Sequence, residues 1–273
     1  MVGSGSVIST EKKTSRRLAV ALACVLGLVG ASALAQDGGR PTGRAAMPPD
    51  QDPTGYWVSV VTQHWHYRMR MPPRGDPAKI PMSAEGQRVF DAWDPLADEA
   101  NGEACRAYGA GNIMRIPGRL HIHWADDDTL RIDTDSGTQT RLLQFSPEIP
   151  ADQVEPSWQG RSVAGWVGRE GAPEGDRYAD QNDPNAPRYL VAVTTRLRPG
   201  HLLKNGVPYS GSTRLEEYFH TFTEPNGDTW LVVNAIITDP EYLTRPHVTS
   251  NQFRKLPDGS GWDPTPCRVD HPR

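Results

Sequence analysis

The stretch IMRIPGRLHIHWADDDTLRIDTDSGTQTRLLQF, residues 113–145, decides the fold class. From Arg119 to Trp124 it alternates. Leu120, Ile122 and Trp124 fall on one side, Arg119, His121 and His123 on the other. A period of two marks a half-buried β-strand, because successive side chains of a strand point to opposite faces. Asp126-Asp127-Asp128 supplies a turn, and Leu130 to Thr134 makes the next strand. Ser136-Gly137 turns the chain again, and Thr138 to Phe145 follows as a third. Upstream, Ile113 to Ile116 reads as a further strand ending at the Pro117-Gly118 turn. The whole stretch is a meander of hairpins.

The same pattern extends in both directions. Tyr56 to Thr62, continuing through His64 to Met69, is dense in aromatic and β-branched residues that suit a pleated surface. Later strands are expected at Arg161–Val167, Tyr189–Arg198, Thr213–Thr223, Trp230–Ile237 and Val248–Lys255. Pro225-Asn226-Gly227-Asp228 is a hairpin turn between two of them. One short helix is expected from Ala84 to Trp93, with Val89, Phe90 and Trp93 at helical spacing and Pro95 as its stop. Residues 168–187 are acidic and rich in Pro and Gly, and read as a long surface loop. The sum predicts an all-β domain: a single antiparallel barrel or nearly closed sandwich of about nine or ten strands.

Residues 1–35 read as an export signal. Lys12, Lys13, Arg16 and Arg17 precede an apolar run from Leu18 to Leu34, and Ala33-Leu34-Ala35 forms a small-residue cleavage site. The run is slightly short for a membrane span, which needs about 20 apolar residues. Arg16-Arg17 leaves the twin-arginine route open beside the general one. Residues 36–52 read as a flexible linker and 53–273 as the barrel domain. The expected location is periplasmic or secreted, with no stable membrane insertion after cleavage.

The whole chain has 29 basic and 33 acidic residues, a net charge of −4. Cleavage removes four basic residues and Glu11, which deepens the charge to −7. That speaks against a nucleic-acid partner, which needs a basic surface. Cleavage also removes Cys24, leaving Cys105 and Cys267. Outside the reducing cytosol such a pair is expected to form a disulfide that ties the C-terminal tail to the middle of the domain.

Several blocks carry a resemblance. They include Ser83-Ala84-Glu85-Gly86, Asp91-Ala92-Trp93-Asp94-Pro95, Cys105, Ile113-Met114-Arg115 and Ser157-Trp158-Gln159-Gly160 running on to Trp166. Leu215-Glu216-Glu217-Tyr218-Phe219 and Ile237-Thr238-Asp239-Pro240 through Pro246 complete the set. Together they resemble a group of exported bacterial β-rich proteins, similar in outline to lipocalin-like antiparallel barrels. The likeness covers most of residues 53–267. It implies an exported barrel and carries over no catalytic residue.

Three sets of residues are candidates for chemistry. His64-Trp65-His66 and His121-Ile122-His123 each place two imidazoles on one face of a strand, so two such strands facing one lumen would suit Zn, Fe or Cu. His121, Asp133, Arg141 and Glu216 form a catalytic set, with His121 or Glu216 as base and Arg141 steadying an anion. Both sets have a plain alternative, that these residues face water. Trp57, Trp65, Trp124, Tyr218 and Trp230 form the third set, a lining for a hydrophobic or aromatic ligand. Its alternative is an ordinary core. No G-x-S-x-G occurs, and Gly109-Ala110-Gly111 lacks nucleotide-binding spacing, so no cofactor is expected. The reading carried forward is a barrel that binds a small hydrophobic or aromatic molecule. A barrel lyase, isomerase or hydrolase stands second, and an envelope contact protein third.

Overall fold

A computed structural model describes residues 42–167 and 189–272. At its centre nine strands close into a barrel. They are β1 (Gly55–Val60), β2 (Arg119–Asp126), β3 (Thr129–Thr134), β4 (Gln139–Gln144), β5 (Arg161–Val167), β6 (Tyr189–Thr195), β7 (Arg214–Thr223), β8 (Thr229–Thr238) and β9 (His247–Leu256). Neighbours in sequence are neighbours round the wall, and β9 pairs back to β1. The protein is thus an all-β barrel, as the alternation predicts, but a mixed one. β4 and β5 run parallel, through Leu143↔Ser162 and Gln144↔Val163. The reason is parity. Antiparallel neighbours alternate up and down, so a ring of nine closes only if one pair runs the same way. Residues 145–160 must then return the chain to the end where β4 began.

The strands expected at 161–167, 213–223, 230–237 and 248–255 form within a residue of those bounds, and the one expected at 189–198 ends at Thr195. Two expectations fail. The first strand stops at Val60, and Trp65–Met69 forms helix α1 after His64 turns left-handed at φ 52°. β9 runs on past the end of β1, and Gln63 Oε1 takes up its Ser250 N–H at 2.8 Å. The left-handed turn at His64 ends the extended path there, so the aromatic run coils into α1 beside β9 and Trp65 and Met69 stay exposed. Second, Ile113–Ile116 is no strand. Ala110–Ile113 closes a short helix, and Met114 and Arg115 follow it into the interior. A short run buried on all sides lacks the alternation that separates strand from helix.

One helix was expected, over Ala84–Trp93. It forms as α2 (Ala84–Asp91), capped where Ser83 Oγ accepts from Gly86 N at 3.0 Å. Two more follow, α3 (Pro95–Ala100) and α4 (Ala110–Ile113). The strand ends Val60, Arg119, Thr134, Thr195, Arg214, Thr238 and His247 share one rim of the barrel. Beneath α2 and α4, Phe90, Leu197, Leu202, Val207 and Tyr209 pack with Leu215 and Ile237 from that rim. Towards the opposite rim, Trp57, Ile122, Leu130, Leu143, Phe219 and Phe253 fill the lumen. Part of the expected linker is docked there as well: Gln51 is buried on β7, and Gly43 O accepts from the Trp166 indole at 2.7 Å.

Cys105 and Cys267 sulfurs lie at bonding distance, 2.07 Å. Beside them Thr265–Pro266 pairs with Ser136–Gly137, so the tail is fastened as predicted. Gly137 sits at φ +79°, where a Cβ would come 2.2 Å from the Tyr108 ring. Only glycine fits there. The expected export signal and the 168–187 loop lie outside the described residues.

Candidate functional site

Strand direction sorts the predicted residues. Glu217 points into the lumen, so its neighbour Glu216 points out, beside Arg214 and Tyr218. Arg141 also points inward and is 1 % exposed. It crosses the lumen to Glu217, with Nη1 2.9 Å from Oε1, and its Nη2 also donates to Glu217. Thr194 and Ser162 hydroxyls close this layer at 2.7 Å from each other. Arg141 therefore meets Glu217 and not Glu216. His121 and Asp133 lie on the outer wall, opposite each other across β2 and β3. The catalytic set does not converge.

The metal set divides too. His64 precedes α1 and His66 lies within it, at the rim. His121 and His123 are on the outer face, their rings 4.4 Å apart, with Asp133 close by. Burial, and then the charge of His123, holds His121 below its ordinary pKa. The aromatics take different environments. Trp57 is fully buried in the core, its indole donating to Pro53 O at 2.8 Å. Trp124 packs on the same core beside Phe145. Trp65 is exposed on α1, and Tyr218 lies in an outer groove with Tyr189, Val232 and Ile236. Trp230 alternates with the buried Leu231 and so faces outward.

The interior near the helical rim holds residues that strand alternation does not mark. Arg115 is 5 % exposed, and its Nε and Nη1 are buried with no hydrogen-bond partner among the described residues. Arg68 of α1 donates Nε to Arg115 O at 2.8 Å, while its Nη1 and Nη2 are likewise buried and unpartnered. His247 Nε2, Thr249 Oγ1 and both amide atoms of Asn251 have no partner either. Native interiors satisfy nearly all such groups, so a concentration of orphans marks a place that something else fills.

The charges agree. Burial pushes the Arg68 pKa down to about 10. Burial, and then the charge of Arg68, brings Arg115 to about 10 as well. His247 falls to about 4, through burial first and then Arg115 and His64. Both guanidinium groups remain cationic at neutral pH and offer only donors.

Arg68 and Arg115 also line a cavity of about 310 Å³ at this rim. Its walls are mixed: Met69, Met71, Ile116 and Leu203 on the apolar side, Asn112, Ser136 and Thr265 on the polar side. Among its lining residues Arg68, Arg115, Lys204 and Arg268 stand against Asp270 alone. Lys204 Nζ is 3.3 Å from that Asp270 and 4.6 Å from the Tyr108 ring centroid. A chain of net charge −4 thus gathers an excess of cations round one small cavity. The arrangement can hold an anionic group against apolar walls.

The chain matches no protein-family model, no curated protein and no solved structure. Its functional reading therefore rests on these residues. The sequence did hold one sign of them. Arg115 is a single charge within Ile113-Met114-Arg115-Ile116, and a strand reading sends that charge to solvent.

Proposed function

We propose that this protein is an exported barrel that binds a small amphipathic anion at its helical rim. The carboxylate or phosphate end sits on Arg68 and Arg115, and the apolar body lies along Met69, Met71 and Leu203. The observation that carries this reading is the pair of buried guanidinium groups with unpartnered N–H atoms beside an open cavity. A planar guanidinium matches a carboxylate or phosphate through two parallel bonds. A volume of about 310 Å³ falls at the lower end of the range of small-molecule sites. Export is supported by the Leu18–Leu34 run and its cleavage site, together with the Cys105–Cys267 pair.

This reading gives the ligand an anionic end and moves it from the lumen to the rim. The apolar half of the lumen is packed with Trp57, Phe219 and Phe253, while the orphaned donors lie at the other end. Thermal unfolding with octanoate, octyl phosphate and octanol tests it. The two anions raise the unfolding temperature and octanol leaves it unchanged. An equal shift from all three, or none from any, contradicts the reading.

A further inference from the structure

The outer wall carries a second constellation that shares no residue with the rim cavity. On β2, His121 and His123 are two residues apart and so face the same way. On β3, Asp133 stands directly opposite His121, and Arg131 opposite His123. The intervening Leu120, Ile122, Leu130 and Ile132 are buried in the lumen, which fixes the two histidines and the aspartate on the outside. One ligand atom from each of the three lies within 4.8 Å of the others.

Three details separate this trio from ordinary surface residues. His123 Nδ1 is buried yet has no hydrogen-bond partner among the described residues, and it lies 3.9 Å from Asp133 Oδ2. That gap is too long for a hydrogen bond. It is a little longer than the roughly 3.3–3.6 Å that separates two ligand atoms of a tetrahedral zinc ion with bonds of about 2.0–2.2 Å, so a small side-chain movement brings both into range. His121 is held in place, stacked on Tyr56 at 4.1 Å and on His123 at 4.4 Å. Asp133 is held in orientation by Arg131, whose Nε donates to its two oxygens at 2.9 and 3.0 Å, and by the Thr140 hydroxyl. Ligating carboxylates are typically fixed by such outer contacts.

We propose that His121, His123 and Asp133 bind one divalent first-row transition cation of the zinc type on the outer wall. Imidazole nitrogen suits zinc, copper, nickel or iron, whereas magnesium and calcium favour all-oxygen sites. Three protein ligands leave a coordination position for water or for a donor from another molecule. His64 and His66 take no part, because they lie at the rim on and before α1.

Calorimetric titration of metal-stripped protein with zinc chloride tests this, with magnesium and calcium chloride as controls. The expected result is one zinc ion per chain and no heat from the controls. Asp133→Asn keeps the side-chain shape, and His123→Gln keeps a polar group at that position. Each is expected to weaken zinc at least tenfold while circular dichroism stays native. A third variant, His66→Gln, is expected to leave the affinity unchanged. Absence of a stoichiometric site in wild type overturns the proposal. So does zinc binding that survives both the Asp133 and His123 substitutions, or that His66→Gln abolishes.

Discussion

Arg68 donates its Nε to the main-chain oxygen of Arg115 at 2.8 Å, which draws one guanidinium to the root of another. Their remaining buried N–H atoms find no acceptor among the described residues. Two like charges held this way cost stability, a cost that a bound anion would lower.

The first prediction follows from that cost. Arg115→Met preserves the main-chain oxygen that Arg68 uses and removes one buried charge. The unliganded variant is expected to be more stable than wild type by about 1 kcal/mol or more, since replacing buried charges by apolar groups is often stabilising. Urea unfolding without added ligand measures this. A large loss of stability would mean that Arg115 is a structural group whose partner is already present.

The opposite outcome is expected for the other buried arginine. Arg141 and Glu217 are paired, with both side chains at most 1 % exposed. Arg141→Met or Glu217→Leu alone leaves an uncompensated buried charge and is expected to cost about 3–5 kcal/mol. The double variant Arg141→Met with Glu217→Leu is expected to recover most of it. Additive losses in the double variant would contradict the pairing.

A third prediction links the disulfide to the cavity. Cys105 and Cys267 are 162 residues apart, and Arg268 and Asp270 just beyond Cys267 line the rim cavity. Closing a loop of that length is worth about 5 kcal/mol in the chain-entropy account. Reduction is expected both to lower the urea midpoint and to weaken octanoate binding. A reduced protein that binds octanoate as the oxidised one does would show that the tail does not shape the site.

Acid supplies a fourth. His247 is held near pKa 4 by burial, Arg115 and His64, and His201 near 3 by burial and Arg106, against a small opposing pull from Asp98. The unfolded chain takes up these protons near pH 6.5, the folded chain only well below it. Their contribution to stability is therefore fully present above pH 6.5 and is lost as the pH falls towards 4 and 3. Between pH 7.5 and 4.5, His247→Gln is expected to lose roughly 2 kcal/mol less than wild type. Equal losses would place the titration elsewhere.

The barrel was legible because its strands alternate. Leu120, Ile122, Leu130 and Ile132 announce their inward face, and the Cys105–Cys267 pair follows from the expected export signal and the cysteine count. The parallel β4–β5 seam was not legible, because it arises from the parity of a nine-membered ring, which no local pattern encodes. The site was hidden for a different reason. Strand alternation predicts that charges point outward, yet Arg141 and Glu217 point in, and Arg115 follows a helix into the interior. His64 and His66 misled because an aromatic-rich run resembles a strand, whereas a left-handed residue at His64 ends the extended path before it.

The central claim is that Arg115 receives the anionic end of a ligand, and calorimetric titration of octanoate into wild-type and Arg115→Met protein tests it most directly. One octanoate per chain is expected in wild type. The variant is expected to bind about 10- to 100-fold more weakly, the worth of a charge-assisted hydrogen bond. An affinity for octanoate that is the same in both proteins would contradict it.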